Sequence, residues 1–258
     1  MSEGHIPGLE VDGPVATIRL RRPAQRNSLR DEDLRALLTM FGQLDADPAV
    51  RVVVLTGETT AQKRPVFCAG YHVAGFDDAT HDPQLFERVP DALERLRPIT
   101  VCALNGSVYG GATDLVLACD LRLALAGCEW RMPAAALGLH YYPSGLRRYV
   151  SRLGLAGAKR AFLTAQALPV EALAASGLFE SVVPAEAFDG ALASLVGTVA
   201  ALAPLAAQAT KQSLNEIAAG RADEAAWRAR EQLTQRSADF AEGRAAFAER
   251  RPPRFTGR

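Results

Sequence analysis

The chain lacks the charge excess that binders of polyanions need. Its 258 residues carry 29 Lys and Arg against 29 Asp and Glu, so the formal net charge is zero. A nucleic-acid or anionic-membrane binder needs a surplus of basic residues. The sequence also has no apolar run of roughly 18 residues, which a transmembrane helix requires, and no signal-peptide pattern. We therefore expect a cytoplasmic protein with neither nucleic-acid nor membrane partners.

Metal and nucleotide motifs are missing too. Cysteine is scarce, and none of Cys68, Cys102, Cys119 and Cys128 forms a C-x-x-C pair. We therefore expect reduced thiols and no metal site or disulfide framework. The chain has no G-x-G-x-x-G after a strand, no phosphate-binding G-x-x-x-x-G-K-[ST], no H-E-x-x-H and no G-x-S-x-G. These absences argue against a dinucleotide enzyme, a P-loop protein, a zinc protease and a serine esterase.

Alternating strand and helix patterns fill the first half of the chain. A hairpin is predicted over 8–20, helices over 28–45, 83–97 and 112–119, and buried strands over 50–56, 99–104 and 121–125. From about residue 150 the pattern is Ala-rich and mostly helical, with helices predicted over 154–165, 169–176, 185–202, 204–219 and 222–250. The pattern indicates an α/β core followed by a helical region.

Two glycine-containing turns carry most of the functional information. Residues 66–72 read Val-Phe-Cys-Ala-Gly-Tyr-His, and residues 105–114 place a Gly pair where a strand ends and a helix begins. Glycine lets a ligand approach the backbone closely, and amides at a helix start attract negative charge. Two such turns facing each other can donate two N–H groups to one carbonyl oxygen, which makes an oxyanion hole.

Several segments together resemble the crotonase (enoyl-CoA hydratase/isomerase) superfamily. They include Val-Phe-Cys-Ala-Gly, Tyr-Gly-Gly at 109–111 and Leu-Ala-Cys-Asp-Leu-Arg at 117–122. Residues 22–29, 97–106 and 245–257 add to the likeness, which spans nearly the whole chain in the family's order. The resemblance implies a crotonase (ClpP-like) α/β spiral of ββα repeats over 1–195. It also implies a C-terminal helical region over 196–258 that assembles a trimer or a dimer of trimers.

The resemblance also implies acyl-CoA thioester substrates, with coenzyme A as part of the substrate and no separate cofactor. The family's oxyanion hole falls on the backbone amides of Tyr71 and Gly111. These donors would stabilise a thioester enolate. Arg22, Arg26 and the basic residues near the C-terminus are the candidate contacts to the CoA phosphates, and Ala69 is a further predicted coenzyme A-binding residue.

The chain departs from the family at both positions where hydratases carry a catalytic glutamate. One position, four residues after the first Gly of the pair, is Asp114, which is one methylene shorter. The other, after Pro133, is Ala134. Hydratases use this pair to hold a water molecule and move its protons. With one carboxylate shortened and the other missing, hydration by the usual pair is not expected.

Decarboxylation of a malonyl- or methylmalonyl-type CoA demands less of the protein. The substrate's carboxylate leaves as CO₂, so only enolate stabilisation and one acid are needed. Residues 106–112 and 137–141 resemble the corresponding segments of methylmalonyl-CoA decarboxylases. In that subgroup a tyrosine of the loop at 139–145 faces the substrate's carboxylate, and it corresponds best to Tyr141, with Tyr142 as the alternative. His140 is a second candidate proton donor, because histidine can hold or lose a proton near neutral pH. Asp114 would orient a ligand or a tyrosine.

Three other functions stay open at this point. One is hydration or isomerisation with a non-standard acid/base set, in which Asp114 or an unidentified group acts. A second is acyl-CoA binding without catalysis, which the missing carboxylates suggest. The third is hydrolysis of a C–C bond in a β-diketone, a reaction also found on this fold.

Overall fold

A computed structural model describes residues 5–72 and 82–258 of the chain. Within those residues the β-strands are β1 His5–Asp12, β2 Val15–Arg21, β3 Val52–Gly57, β4 Val66–Cys68, β5 Ile99–Leu104, β6 Ser107–Tyr109, β7 Leu121–Leu125, β8 Glu129–Arg131, β9 Leu168–Pro169 and β10 Ser181–Val183. The α-helices are α1 Asp31–Ala46, α2 Leu85–Arg95, α3 Ala112–Ala118, α4 Pro143–Thr164, α5 Val170–Ala174, α6 Ala185–Ala200, α7 Pro204–Ala218, α8 Glu224–Gln235 and α9 Ala238–Glu249. Short 3₁₀ helices cover Pro23–Gln25 and Ala134–Leu137.

Two strands followed by a helix form the repeating unit of the chain. The large sheet has the order β1-β2-β3-β5-β7-β10 and the small sheet the order β4-β6-β8-β9. After the first unit, whose two strands both lie in the large sheet, the first strand of each pair β3/β4, β5/β6 and β7/β8 joins the large sheet and the second joins the small one. From β2 to β10 the large sheet is parallel, whereas β1 pairs with β2 in an antiparallel hairpin. The ββα spiral predicted for a crotonase fold is therefore observed.

The apolar runs of the sequence become strands covered on both faces. Every residue of β3 is buried, and so are five of the six in β5. Helices α1, α2 and α3 cover one face of the large sheet, while α6 contacts β3, β5 and β7. The predicted strands and helices of the first half are thus confirmed, with boundaries that differ by at most three residues.

Local capping chemistry accounts for two of the differences between the predicted and the observed helix boundaries. Helix α1 begins at Asp31, three residues later than predicted, because the Asp33 carboxylate accepts a hydrogen bond of 2.8 Å from the Arg30 backbone amide. The helix predicted over 222–250 is broken at Ser237. The hydroxyl of that serine accepts a hydrogen bond from the Phe240 amide and starts α9.

The C-terminal helices follow the sheet. The predicted division between 195 and 196 falls inside α6, which packs on the large sheet as one element. In the described part of the chain, no single helix has the length and apolarity to cross a membrane. Only α6 and α7 taken together meet that test, and they are bent by 101°.

A pair of glycine substitutions tests how tightly the two sheets meet. A Cβ on buried Gly106 would lie 2.6 Å from the Phe67 amide nitrogen, whereas one on Gly42, on the exposed side of α1, meets nothing within 4 Å. We expect Gly106→Ala to lower the free energy of unfolding by about 1–3 kcal/mol through overpacking. Gly42→Ala should raise it by about 1 kcal/mol through helix propensity. Urea denaturation measures both, and equal stabilities of the two variants would contradict the packing argument.

Candidate active site

The two glycine turns predicted from the sequence meet at one edge of the small sheet. Strands β4 and β6 run parallel, so their carboxyl ends lie side by side. Gly70 follows β4 with a φ of +94°, and Gly110 follows β6 with a φ of +57°. A Cβ on Gly70 would lie 2.7 Å from the Tyr109 carbonyl oxygen and 3.4 Å from the Gly111 nitrogen. Only glycine fits this approach, which places the Gly111 amide next to the first turn.

Tyr71 and Gly111, the residues predicted to form the oxyanion hole, line the same cavity of about 510 Å³. Tyr71 is held by bridge pairing with Leu29 and by a 2.6 Å hydrogen bond from its hydroxyl to the Asp31 carboxylate. Gly111 is the N-cap of α3. Ala69, predicted to bind coenzyme A, lines this cavity too. The structure thus places Ala69 and the two residues of the predicted oxyanion hole on one cavity.

The Phe86 ring covers the place where the two glycine turns meet. A Cβ on Gly111 would lie 2.5 Å from Cζ of the Phe86 ring, so the ring covers the turn directly. The ring centroid of Phe86 is 5.9 Å from that of Tyr71 and 6.2 Å from that of Tyr142. The rest of the wall is mainly apolar and includes Pro83, Met132, Pro133, Ala134, Leu137, Leu139 and Pro143. Such a wall excludes water from the reacting end of a ligand.

Asp114 lies behind this apolar wall and is held there by a buried ion pair with Arg148. Its carboxylate and the Arg148 guanidinium are both completely buried. Arg148 donates to both carboxylate oxygens of Asp114, over 2.9 Å and 2.7 Å. Burial alone lowers the pKa of Arg148, but the hydrogen bonds and the charge of Asp114 raise it above its ordinary value. Asp114 therefore serves as the counter-ion of a permanent cation, and it does not line the cavity.

A chain of hydroxyl groups connects Asp114 to the cavity. The Tyr142 hydroxyl donates to Asp114 over 2.6 Å, and the Tyr141 hydroxyl donates to that of Tyr142 over 3.0 Å. Burial and the negative charge of Asp114 raise the pKa of both tyrosines well above the ordinary value. Both phenols therefore keep their protons. They line the cavity, but Tyr141 is only 6% exposed and stacks on Tyr142, which is the more open of the two.

His140 and Ala134 also line the cavity. His140 lies on the exposed loop before α4, and Ala134 opens the 3₁₀ helix that follows Pro133. The position at which hydratases carry the second glutamate therefore contributes only a small apolar side chain to the cavity.

The prediction for Arg22 is wrong, because its guanidinium belongs to the fold. It is 6% exposed, donates to both carboxylate oxygens of Asp33 over 3.1 Å and 3.0 Å, and forms an ion pair with Glu32. Asp33 in turn caps α1, so Arg22 fixes the loop after β2 to that helix. A buried, doubly paired arginine is not available to a CoA phosphate.

Arg26 lies at a second, more polar cavity of about 950 Å³ on the outer side of the small sheet. Exposed Lys63 and Arg64, which the sequence analysis missed, line it as well. Tyr109 lines both cavities, so they adjoin. The basic pair directly before Pro65 was a readable sequence signal, since two adjacent cations are rarely structural.

Glu87 is the other residue missed by the sequence analysis. It follows Phe86 on α2 and supplies a half-buried carboxylate to the cavity that holds Tyr71 and Gly111. Its position in an amphipathic helical pattern gave no signal, because glutamate there usually faces solvent. Among the described residues, no group of three or more His, Cys, Asp or Glu side chains is placed to hold a metal ion.

Fold and site together define a protein of the crotonase fold, with two adjoining backbone turns beside an apolar cavity. The family model for enoyl-CoA hydratase/isomerase matches residues 10–258. The chain belongs to the enoyl-CoA hydratase/isomerase family.

Individual relatives agree with this assignment. A probable enoyl-CoA hydratase of Mycobacterium leprae is 31% identical, over 94% of this chain and 96% of its own length. The 2,3-dehydroadipyl-CoA hydratase of Escherichia coli is 27% identical, over 95% and 96%. The crystal structure of an enoyl-CoA hydratase/isomerase from Marinobacter aquaeolei superposes with a TM-score of 0.81 at 25% identity, over 96% of this chain and 98% of that one.

Substitution of Arg148 tests the buried ion pair. Arg148→Met leaves the Asp114 carboxylate buried without its cation, and we expect the free energy of unfolding to fall by about 3–5 kcal/mol. The double variant Arg148→Met/Asp114→Asn should be more stable than the single one, because the uncompensated charge is gone. Chemical denaturation of the wild type and of the two variants measures these differences in the free energy of unfolding.

Arg228→Met is the matched control for this experiment. Arg228 pairs with Glu224 and Glu231 on the surface of α8, so its loss should cost less than about 1 kcal/mol. If Arg148→Met cost no more than this control, Asp114 would not depend on its partner.

Proposed function

We propose that the protein binds acyl-CoA thioesters and acts through an enolate held by the amides of Tyr71 and Gly111. The favoured reaction is decarboxylation of a malonyl- or methylmalonyl-type CoA, with Tyr141 or its neighbour Tyr142 facing the departing carboxylate. The observation that carries the proposal is the loss of both hydratase carboxylates from the cavity. Asp114 is locked to Arg148, and Ala134 presents a methyl group.

The geometry favours loss of a carboxylate over addition of water. Decarboxylation breaks the bond between Cα and the carboxyl carbon, and the electron pair moves into the thioester to form the enolate. In the proposed complex, the amides of Tyr71 and Gly111 donate to the oxygen on which that charge develops, which is the main requirement of the step. The apolar wall around Ala134 favours the neutral product CO₂ over the charged group from which it forms.

Hydration is the second candidate, and the names of the relatives favour it. Of the two relatives described above, one is named a probable enoyl-CoA hydratase and the other a 2,3-dehydroadipyl-CoA hydratase. For hydration this chain would need one group to hold the water molecule and protonate Cα without the usual pair. Acyl-CoA binding without turnover is a further outcome of the assay described below.

The nucleotide end of the substrate suits the second cavity. Arg26, Lys63 and Arg64 offer three exposed cations where a CoA chain leaving the thioester site past Tyr109 would place its phosphates. These three residues take the place of Arg22 as the proposed contacts to the CoA phosphates.

The expected self-association into a trimer or a dimer of trimers stays a proposal. Large exposed apolar side chains on the C-terminal helices support it, including Phe247, which is 89% exposed.

A mass-spectrometric assay with methylmalonyl-CoA, malonyl-CoA and crotonyl-CoA tests the reaction. We expect CO₂ loss from at least one diacid thioester and no change in crotonyl-CoA.

Ala134→Glu should slow the decarboxylation at least about tenfold. The new carboxylate and the carboxylate of the substrate are like charges, and two such charges about 4 Å apart repel by several kcal/mol at a partly buried site. Ala135→Glu is the matched control, since Ala135 is exposed and does not line the cavity.

Three results would overturn this order of candidates. Water addition to crotonyl-CoA without CO₂ loss would make the protein a hydratase. Tight acyl-CoA binding without any turnover would make it a binder. Turnover of a β-diketone without CoA would remove the thioester altogether.

Removal of the two adjacent cations tests the nucleotide site. The variant Lys63→Ala/Arg64→Ala should raise the Kd for propionyl-CoA about tenfold at low salt, since an exposed charge contact contributes up to about 1 kcal/mol. The Kd for propionyl-pantetheine, which lacks the nucleotide, should not change. Lys159→Ala, an exposed cation on α4, is the control, and calorimetry measures all of these. If the double variant raised the Kd of both ligands equally, the CoA phosphates would bind elsewhere on the protein.

A further inference from the structure

The proposed reaction leaves an enolate that needs a proton, and the buried phenols are poorly suited to supply it. Tyr142 commits its hydroxyl proton to Asp114, and Tyr141 commits its own to Tyr142. A tyrosinate at either position would lie in a buried site close to the negative charge of Asp114. Another group in the cavity must therefore handle the proton.

Glu87 is placed for this role by its neighbours on α2. Phe86 directly before it covers Gly111, so this part of the helix lies at the thioester end of the cavity. Glu87 lines the cavity from that helix, and Asp114 does not line it. The Ser144 hydroxyl, in the first turn of α4, donates to the Glu87 carboxylate over 3.3 Å. This bond holds the carboxylate between α2 and α4.

The charged groups around Glu87 are engaged elsewhere. Arg88 pairs with Asp82, and Arg147 pairs with Glu94. Arg148, which also donates to Ser144 over 3.4 Å, pairs with Asp91, Glu94 and Asp114. Within residues 5–72 and 82–258, no basic side chain forms an ion pair with Glu87. Its carboxyl group can therefore lose and regain a proton without breaking a salt bridge.

We propose that Glu87 is the acid/base residue of the cavity and exchanges a proton with Cα of the thioester enolate. This inference rests on the proposed enolate chemistry. After CO₂ has left, the enolate electron pair forms the Cα–H bond with the proton of the Glu87 carboxyl group, and the thioester carbonyl is restored. The Glu87 carboxylate then takes a proton from water, so one proton is consumed per turnover. With a simple acyl-CoA, the same carboxylate removes and returns an α-proton.

His140 is the alternative donor, and its setting is less suitable. It lies on an exposed loop, and in the described part of the chain its imidazole makes no hydrogen bond to another residue. A catalytic group must be held in a defined orientation to transfer a proton efficiently. Glu87 meets that requirement through its helix and through Ser144.

Deuterium exchange in wild type and Glu87→Gln tests the proposal. Propionyl-CoA is incubated with each protein in D₂O, and α-deuteration is followed by mass spectrometry. Glu87→Gln keeps the size of the side chain but removes its acid/base function, so we expect exchange to fall at least about 100-fold. The Kd for propionyl-CoA should stay within about twofold. Glu87→Asp, which retains a carboxyl group, should exchange at an intermediate rate.

A second measurement separates proton transfer from structural support. Methylmalonyl-CoA decarboxylated in D₂O by the wild type should give propionyl-CoA with deuterium on one face of Cα. Glu87→Gln should give a mixture of both faces, because bulk water then supplies the deuteron. Glu186→Gln, an exposed carboxylate on α6, is the matched control and should behave as wild type.

The possible outcomes distinguish Glu87 from the reaction itself. Wild-type exchange rates and single-face labelling in Glu87→Gln would overturn the role of Glu87 and leave the enolate chemistry standing. Wild type that binds propionyl-CoA, exchanges no α-proton and releases no CO₂ would overturn both. Loss of exchange in His140→Ala, with Glu87→Gln unaffected, would assign the proton to the loop histidine.

Discussion

The buried pair of Asp114 and Arg148 fixes the geometry on which the rest of the site depends. Arg148 on α4 donates to Asp114 on α3 and to Asp91 and Glu94 on α2, so one guanidinium joins three helices. A cation taken out of water must be fully paired and hydrogen-bonded to be tolerated. These partners also position Phe86 and Tyr142, because they lie on the elements that the arginine holds together. The shape of the cavity is therefore set by an ion pair outside it.

This arrangement changes the role predicted for Asp114, which stands where the resemblance to hydratases places a catalytic glutamate. An aspartate with both oxygens occupied by Arg148 and a third donor in Tyr142 has little capacity left to hold water. The side chain is one methylene shorter than glutamate, which suits retraction behind the wall. The same position thus supports the tyrosines from behind, and the reacting groups must come from other elements.

Much of the fold and part of the site could be predicted from the sequence. Buried β-branched runs and the Asp12–Gly13 turn signal depend on local patterns, and they gave β1, β2, β3 and β5 almost as observed. The glycine turns were also readable, since a close backbone approach demands glycine. Arg22 could not be assigned, because an arginine in a polar loop looks the same whether it faces solvent or a buried Asp33. Glu87 was hidden for a related reason: only the packing of α2 against α4 turns it inward.

In the proposed reaction, backbone amides stabilise the enolate and side chains move protons, which explains how one fold can carry different reactions. The proposed oxyanion donors are backbone amides fixed by strand pairing and by glycine, so they persist when side chains change. The reaction that follows enolate formation depends on which side chains reach Cα and which reach the far carbon of the acyl group. In this chain the wall at Ala134 is apolar and a carboxyl group enters from α2 at Glu87. In the proposed reaction, the backbone amides still stabilise the enolate but the proton arrives from a different side, and the side from which it arrives decides what the enolate becomes.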